Sequence, residues 1–132
     1  MSELNTLSIA EAGKRLAAKE ISAVELAHAC LNHIHKHNAS LNAYLEVFDD
    51  VLEQAKAADK RIALGESLPL LGIPLAIKDN ILIEGKRASS ASKILEGYVA
   101  PYDATVIKKL KAQGAIFIGK TNMDEFAIGS ST

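Results

Sequence analysis

In the first part of the chain, apolar residues recur every three or four positions, the spacing that gathers side chains on one face of an α-helix. The clearest stripe consists of Val24, Ala27, Leu31 and Ile34. Two helix-start signals stand nearby: Ser8 with Glu11, and Ser22 with Glu25. Each pair has capping-box spacing, in which the serine and glutamate side chains bond free backbone N–H groups. The pattern predicts two capped helices in succession.

Beyond these helices the pattern changes twice before the middle of the chain. Residues 43–48 (AYLEVF) alternate weakly between apolar and polar, which predicts a short strand. Residues 50–63 are rich in alanine and end shortly before Gly65, which predicts a third helix with a glycine stop.

The second half of the chain has shorter apolar runs. Residues 72–77 (GIPLAI) predict a strand, and residues 103–113 predict an amphipathic helix with Asp103 as N-cap and Gly114 as its stop. Residues 115–119 (AIFIG) follow immediately and have the continuous hydrophobicity of a buried parallel strand. A helix followed directly by such a strand predicts an α/β fold, mainly helical over 1–65 and strand–helix–strand over 66–132.

The predicted sheet is thin for a free-standing α/β domain. Only two or three strands accompany four helices, and the last block of sequence ends in a Gly-Ser-Ser-Thr stretch with the character of a loop. No repeat, low-complexity tract or linker indicates a second domain. We therefore expect the chain to form part of a larger single domain.

The composition of the chain bears on its binding partners and on its cellular compartment. Fifteen basic and sixteen acidic residues give a net charge of −1, which provides no electrostatic reason for direct binding to nucleic acid or anionic lipid. The single cysteine, Cys30, excludes an internal disulfide and suits a reducing compartment. No apolar run approaches the ~20 residues of a membrane span. We expect a cytoplasmic protein without membrane association.

Lys78 is the most informative candidate for chemistry. It follows residues 75–77, at the end of a strand that should be buried on at least one face. Loss of hydration lowers the pKa of a lysine, and a neutral amine can act as a general base. Alternatively, Lys78 extends from the strand end into water or pairs with Asp79. The local sequence leaves these interpretations open.

The histidines do not predict a metal site. His33 and His37 lie four positions apart, a spacing that zinc sites use. A helical wheel places both opposite the apolar stripe, on the water side, without a nearby cysteine or acidic ligand. His28 and His35 flank the stripe and border the core. We expect no metal.

Serines and glycines offer neither a nucleophile motif nor a nucleotide fingerprint. None of the serines stands in a Gly-x-Ser-x-Gly turn after a strand, and the glycines are scattered rather than gathered in a phosphate-binding loop. The loop serines considered are Ser89, Ser90, Ser92, Ser130 and Ser131. Such serines are usually turn formers.

Four blocks in the second half resemble the amidase signature family in order and spacing. They are GIPLAIKDNI (72–81), ASKILEGY (91–98), YDATVIKKL (102–110) and GKTNMDEFAIGSST (119–132). The opening capped helices also resemble this family, so the similarity extends over nearly the whole chain. The last block is most similar to one branch, the glutaminase (A) subunits of glutamyl-tRNA(Gln) amidotransferases.

The resemblance implies a fold and a role for Lys78. The fold would be the N-terminal part of the amidase-signature domain, a mixed β-sheet covered by helices, truncated at residue 132. Lys78 would be the base of a Ser–cis-Ser–Lys triad, taking a proton from a bridging serine that activates the nucleophilic serine. The nucleophile attacks the side-chain amide of glutamine, releases ammonia and leaves an ester that water hydrolyses. Backbone amides of a glycine-rich loop stabilise the oxyanion.

The resemblance also implies what the chain lacks and what it binds. Both catalytic serines would follow Thr132, so Ser130 and Ser131 are not candidates for the nucleophile. The 132-residue chain alone should therefore be inactive. Gly129 and Ser130 would border the glutamine pocket. The glutaminase subunit would need no cofactor. Its partners would be the B and C subunits. Ammonia would pass to the B subunit, which would hold the tRNA and use ATP and magnesium. The small C subunit would bind the other two together.

Two other functions compete with this interpretation. One is an amidase of the same family that acts on a different small amide, because the residues that choose the substrate would lie mostly beyond Thr132. The other is a non-enzymatic helical interaction module. It predicts an exposed Lys78 and a self-contained core.

Overall fold

The computed structural model describes residues 3–130, which form four α-helices, three strands and three short 3-10 turns. In chain order the main elements are α1 (Ile9–Ala17), α2 (Ala23–Leu41), β1 (Tyr44–Val47), α3 (Val51–Ala63), β2 (Pro74–Lys78), α4 (Thr105–Ala112) and β3 (Ile116–Thr121). The turns cover Leu4–Thr6, Lys93–Leu95 and Glu125–Ala127. Each predicted helix and strand is present. Among the described residues, no helix combines the length and apolarity needed to cross a bilayer.

Both predicted capping boxes are confirmed. At the start of α1, Ser8 Oγ accepts the Glu11 N–H at 3.2 Å, and the Glu11 carboxylate accepts the Ser8 N–H at 2.9 Å. At the start of α2, Ser22 and Glu25 make the same two bonds at 3.0 and 2.8 Å. Free N–H groups at both helix starts are thus satisfied by local side chains, which is why the sequence alone located these starts.

The three strands form a mixed sheet in the order β1–β3–β2. The strands β2 and β3 are parallel, with Ile77 opposite Lys120 and Lys78 opposite Thr121, while β1 runs antiparallel to β3. This confirms the predicted α/β class and the parallel character of the AIFIG strand, which continues to Thr121. The carboxyl ends of β2 and β3 therefore meet at one edge of the sheet.

The core is built from close helix contacts and the inner face of the sheet. On α2 and α3, small residues face the core and are at most 4% exposed, which lets the two helices approach closely; these residues are Ala23, Ala27, Ala55 and Ala58. The carboxylate of Asp59 on α3 accepts the N–H groups of Ala23 and Val24 at 2.7 and 3.2 Å, so α3 also caps α2. Of the predicted stripe on α2, Ala27 is fully buried and the other three residues pack against the core.

The predicted N-cap of α4 was wrong. The helix begins at Thr105 with Ala104 as the cap residue, and Asp103 makes no capping bond. Its carboxylate instead accepts the N–H of Glu84 at 2.8 Å and the ammonium of Lys111 at 2.6 Å. These two partners come from a distant loop and from the far end of the helix, so a local pattern could not identify them.

The first prediction concerns Gly119, which lies in β3 opposite Val47 of the antiparallel neighbour β1. A Cβ atom there would overlap the carbonyl oxygen of Glu46 and lie 3.0 Å from the Cα of Val47. We expect Gly119→Ala to lower the free energy of unfolding by about 1–3 kcal/mol or more, because backbone must move to make room.

Gly13→Ala is the matched control: Gly13 lies inside α1 with open space around it, so alanine should stabilise the protein by about 0.5–1 kcal/mol. Urea denaturation followed by circular dichroism measures both, and equal effects would contradict the crowding at Gly119.

The second prediction concerns the pH dependence of the capping boxes. Hydrogen bonds from the Ser8 hydroxyl and N–H lower the pKa of Glu11 below its ordinary 4.5, and those from the Ser22 N–H and hydroxyl do the same for the pKa of Glu25. The ionised carboxylates therefore favour the folded state. Their contribution is present above the ordinary pKa and is lost as the pH falls through the lowered, folded-state pKa.

Replacing both glutamates by glutamine keeps capping-box geometry but removes the titration. The double variant Glu11→Gln/Glu25→Gln should therefore lose less thermal stability than the parent between pH ~7 and pH ~3. Glu53→Gln, which removes one exposed carboxylate outside both capping boxes, is the control. If the double variant and the parent lose the same amount, the caps do not contribute to acid sensitivity.

Candidate functional site

The candidate site lies at the edge of the sheet where β2 and β3 end. Lys78 closes β2 and is paired with Thr121, which closes β3. In open α/β sheets, functional groups gather outside the carboxyl ends of parallel strands, because the loops that follow the strands converge there. Both sequence blocks with a lysine near a strand end, GIPLAIKDNI and GKTNMDEFAIGSST, meet at this edge.

Lys78 lies on the outer face of this edge. Ile77, one residue earlier, is 5% exposed and faces the core with its pairing partner Lys120. Since successive side chains alternate across a strand, Lys78 is directed to the opposite face, where it is exposed. The expectation that the strand end buries Lys78 was therefore wrong for this part of the protein. Within residues 3–130 its ammonium has no hydrogen bond or ion pair, so the suggested pairing with Asp79 is also wrong.

The buried lysine of the site is Lys120, the largest fully buried side chain among the described residues. Its ammonium donates to the carbonyl oxygen of Ile81 at 2.6 Å and lies 3.7 Å from Asp79 Oδ1. Burial lowers the pKa of Lys120, and the negative charges of Asp79 and Glu46 oppose that shift. A buried ammonium without such partners would be strongly destabilising. Asp79 thus provides the counter-charge that makes this position of Lys120 tolerable.

Asp79 connects three segments of the chain. Only 2% exposed, it accepts three hydrogen bonds at Oδ2: from the Ser89 hydroxyl, from the Ser89 N–H at 3.3 Å and from the Ala91 N–H at 3.1 Å. Its backbone N–H donates to Thr121, and its backbone oxygen accepts from Ser90. The residue therefore joins the end of β2, the end of β3 and the loop that contains Ser89.

The loop held by Asp79 has an unusual backbone. Ser90 and Ala91 are consecutive non-glycine residues in the left-handed region, at φ 51° and 53°. Such conformations cost energy and persist where surrounding contacts impose them. The three bonds to Asp79 Oδ2 flank this turn and supply the constraint.

The same loop contacts the segment near the end of the chain. Ser92 donates its hydroxyl hydrogen bond to Glu125 at 2.7 Å, and the N–H of Phe126 donates to the Ser90 carbonyl at 3.0 Å. Phe126 and Ala127 are also left-handed, at φ 54° and 59°. The predicted pocket residues Gly129 and Ser130 come after Ile128 and are exposed. The loop around Ser90 and the segment around Phe126 are thus joined by hydrogen bonds.

Three of the serine candidates make structural contacts in one loop. Ser89 and Ser92 are buried and donate their hydroxyls to carboxylates, and Ser90 lies in the strained turn. Ser130 is exposed at the end of the described residues, and Ser131 and Thr132 lie outside them.

Beside Asp79 the surface forms an open cleft that Lys78 does not line. Residues on its wall include Glu46 from β1 and Arg87, whose Nε lies 3.7 Å from Glu46 Oε2. That oxygen has no hydrogen bond among the described residues. Together with Lys120 and Asp79, these groups form a cluster of two cations and two anions at the sheet edge.

The histidines form no site. The rings of His33 and His37 lie 4.5 Å apart on α2, and His28, His33 and His35 are exposed. Across residues 3–130, no three histidine, cysteine or acidic side chains converge in a way that could hold a metal ion. Cys30 is half-buried, and burial raises the pKa of its thiol, which disfavours the reactive thiolate.

The sequence analysis missed the Lys120–Asp79 pair. One signal was available: Lys120 directly follows the continuous apolar run 115–119, which continues as strand to Thr121. The strand was expected to end at residue 119, so the expected buried run stopped one residue short of Lys120. The partner Asp79 lies 41 positions away along the chain, so only the parallel pairing of β2 with β3 reveals the contact.

Comparison with known proteins places these features in a family. The amidase family profile matches residues 25–132, which include Lys78, Asp79 and Lys120. The chain is 51% identical over 132 residues to the A subunit of glutamyl-tRNA(Gln) amidotransferase from Carboxydothermus hydrogenoformans, and 49% identical over 130 residues to that from Azotobacter vinelandii. In both comparisons 98% of this chain is covered, but the chain spans only 27% of the relative's length.

Solved structures agree with the sequence comparison. The peptide amidase of Stenotrophomonas maltophilia superposes with a TM-score of 0.85 at 33% identity, covering 92% of this chain and 26% of the amidase. An amidase family protein of Bacillus anthracis gives 0.87 at 30% identity, covering 94% and 25%. A fatty acid amide hydrolase gives 0.86 at 26% identity, covering 93% and 23%. On the family match, the close relatives and the shared architecture, the chain belongs to the amidase signature family.

Proposed function

We propose that the protein containing this chain is the glutaminase subunit of a glutamyl-tRNA(Gln) amidotransferase. The observation that carries the proposal is about half-identity, 51% and 49%, to the corresponding subunits of such enzymes over 98% of the chain. The protein would hydrolyse glutamine and supply ammonia for converting Glu-tRNA(Gln) to Gln-tRNA(Gln).

In this proposal Lys78 is the general base. It lies within the matched region 25–132 and ends a strand that is paired along its length, so its backbone is held rigidly. A base requires the neutral amine, and removal of water favours that form of a lysine. Since the chain spans 27% of the relatives it matches, we propose that other parts of the protein cover the exposed face and bring the two catalytic serines to Lys78.

The remaining roles follow from the same proposal. Lys78 would take a proton from the bridging serine, and the bridging serine would take one from the nucleophilic serine. The nucleophilic serine would attack the side-chain amide of glutamine. The proton held by Lys78 would then return through the bridging serine to the amide nitrogen, which leaves as ammonia as the glutamyl ester forms. Gly129 and Ser130 would border the glutamine pocket; their segment is bonded to the Asp79-held loop through Phe126 and Ser90.

The proposed partners and setting come from the resemblance to these glutaminase subunits. The B subunit would receive the ammonia, bind the tRNA and use ATP and magnesium, and the C subunit would join the other two. The glutaminase subunit would itself need no cofactor. We place this complex in the cytoplasm, where aminoacyl-tRNA is made and used.

Two competing functions have some support. An amidase for another small amide is favoured by the similarity to the peptide amidase and the fatty acid amide hydrolase, but these are 33% and 26% identical, against 51% for the glutaminase subunit. A helical interaction module predicted an exposed Lys78, as observed here. That exposure does not separate the two, because the chain represents about a quarter of its relatives, and family membership favours the enzyme.

The third prediction tests Lys78 in the full-length protein, assembled with its partner subunits. Lys78→Ala should lower the glutamine-dependent rate by about 100-fold or more, because general bases contribute this much. Lys78→Arg should be equally inactive, since a guanidinium keeps its proton at working pH. Amidation of Glu-tRNA(Gln) from added ammonia should stay near the parent rate in both variants.

Lys56→Ala serves as the matched control, because Lys56 is an exposed lysine on α3. It should leave both the glutamine-dependent and the ammonia-dependent rates unchanged. Loss of ammonia-dependent amidation in Lys78→Ala would mean that Lys78 supports the structure of the complex. Full glutaminase activity in that variant would exclude it as the base.

The fourth prediction concerns residues 1–132 expressed alone. This chain should release no ammonia from glutamine above background, because a base without its nucleophile and oxyanion donors lacks parts that act as a unit. A coupled ammonia assay with the Lys78→Ala chain as blank measures it. Ammonia release that depends on Lys78 would show that a nucleophile lies within these residues.

A further inference from the structure

We propose that Asp79 is a positioning residue for Lys78, and that Lys120 and Ser89 act through it to fix the geometry of the catalytic edge. The inference rests on the proposed function, in which Lys78 is the base, and adds three residues that do not touch the substrate. It depends on how Asp79 is bonded, on what it joins, and on its place beside Lys78.

The Asp79 carboxylate is held on both oxygens. Oδ1 lies 3.7 Å from the Lys120 ammonium, and Oδ2 accepts three hydrogen bonds from Ser89 and Ala91. The Asp79 side chain is 3% exposed and that of Lys120 is 0% exposed. Charges buried this deeply are costly to move away from their partners, so the carboxylate has one stable arrangement.

The backbone on either side of this carboxylate is also held by hydrogen bonds. The Asp79 N–H donates to Thr121 at 3.2 Å, which continues the β2–β3 pairing one residue past Lys78. Lys78 is thus not a frayed terminal residue of its strand. On the next turn, the Lys78 carbonyl accepts the N–H of Ile81 at 3.0 Å, while the Ile81 carbonyl accepts from Lys120.

Asp79 also holds a loop that reaches the proposed glutamine pocket. Its bonds hold the left-handed pair Ser90–Ala91, and the Ser90 carbonyl accepts the N–H of Phe126. Phe126 lies three residues before Gly129. Through these bonds one carboxylate sets the base and the pocket segment relative to each other.

The position of Lys78 explains why such support is needed. Its own side chain makes no hydrogen bond or ion pair within the described residues, so local side-chain contacts do not orient it. Its placement depends on its backbone, and its backbone depends on Asp79. A displacement of about 1 Å at a reacting group can reduce a rate by about 100-fold.

The experiment uses the full-length protein in complex with its partner subunits, with four single variants and one double variant. Asp79→Asn keeps the size but removes the charge, and Lys120→Met removes the ammonium. Ser89→Ala deletes one donor to the carboxylate, whereas Ser89→Thr keeps the hydroxyl. We measure kcat and KM for glutamine, and the ammonia-dependent amidation rate as a readout that does not use Lys78.

We expect Asp79→Asn and Lys120→Met to lower the glutamine-dependent kcat by about 10-fold or more, with KM and the ammonia-dependent rate within about twofold of the parent. Ser89→Ala should show a smaller loss of kcat, and Ser89→Thr should recover most of it. The double variant Asp79→Asn/Lys120→Met should be no worse than the more damaging single variant, because both changes disrupt the same interaction.

Three outcomes would overturn the inference. They are an unchanged kcat in Asp79→Asn, an equal loss of glutamine- and ammonia-dependent rates, and a Ser89→Thr variant as impaired as Ser89→Ala. If Asp79→Asn does not assemble, the two Ser89 variants decide the question. Failure of the proposed function is recognised separately, because the parent enzyme would then not hydrolyse glutamine, or Lys78→Ala would match the parent.

Discussion

The buried carboxylate of Asp79 needs partners, and the surrounding structure is arranged to provide them. An ionised carboxylate removed from water is unfavourable by several kcal/mol unless charge and hydrogen bonds replace its hydration. Here Lys120 supplies the charge, and the loop at Ser89 supplies the donors. The parallel pairing of β2 and β3 is what brings Asp79 and Lys120 together, since they are distant in sequence. Around this contact the strand ends, the strained turn and the last described segment form one connected unit.

The scaffold beneath that unit depends on small residues. Gly119 lets β1 approach β3 so closely that a methyl group would not fit, and alanines on α2 and α3 let those helices pack at short range. Helices α2 and α3 pack on one face of the sheet, against β2 and β3. Lys78 and Ala76 are exposed on the other face. This asymmetry matches a chain that spans about a quarter of its relatives, and it leaves Lys78 on the face where the remaining parts of the proposed active site would assemble.

The two lysines at the sheet edge have divided roles. The sequence predicted a desolvated lysine at a strand end, and Lys120 fits that description. Its ammonium, however, is paired with Asp79 and donates a hydrogen bond to the Ile81 carbonyl. Lys78 is the exposed lysine, and an unpaired amine is what a general base needs once water is excluded. Alternation along paired strands assigns one lysine to each face. In this proposal Lys78 carries out the chemistry, while Lys120 and Asp79 support the edge that positions it.

The sequence by itself determined the features that rest on near neighbours. Both capping boxes, the helical stripe on α2, the strands and the family membership could be predicted, because their signals lie within a few residues or in ordered blocks. Tertiary structure decided the rest. Asp103 was predicted to cap α4 but bonds Glu84 and Lys111 instead, and Lys120 rather than Lys78 proved to be buried. The Glu84 partner of Asp103 and the Asp79 partner of Lys120 are distant in the sequence, and burial of a charged group depends on which distant group can compensate its lost hydration. That compensation exists only once the strands have paired.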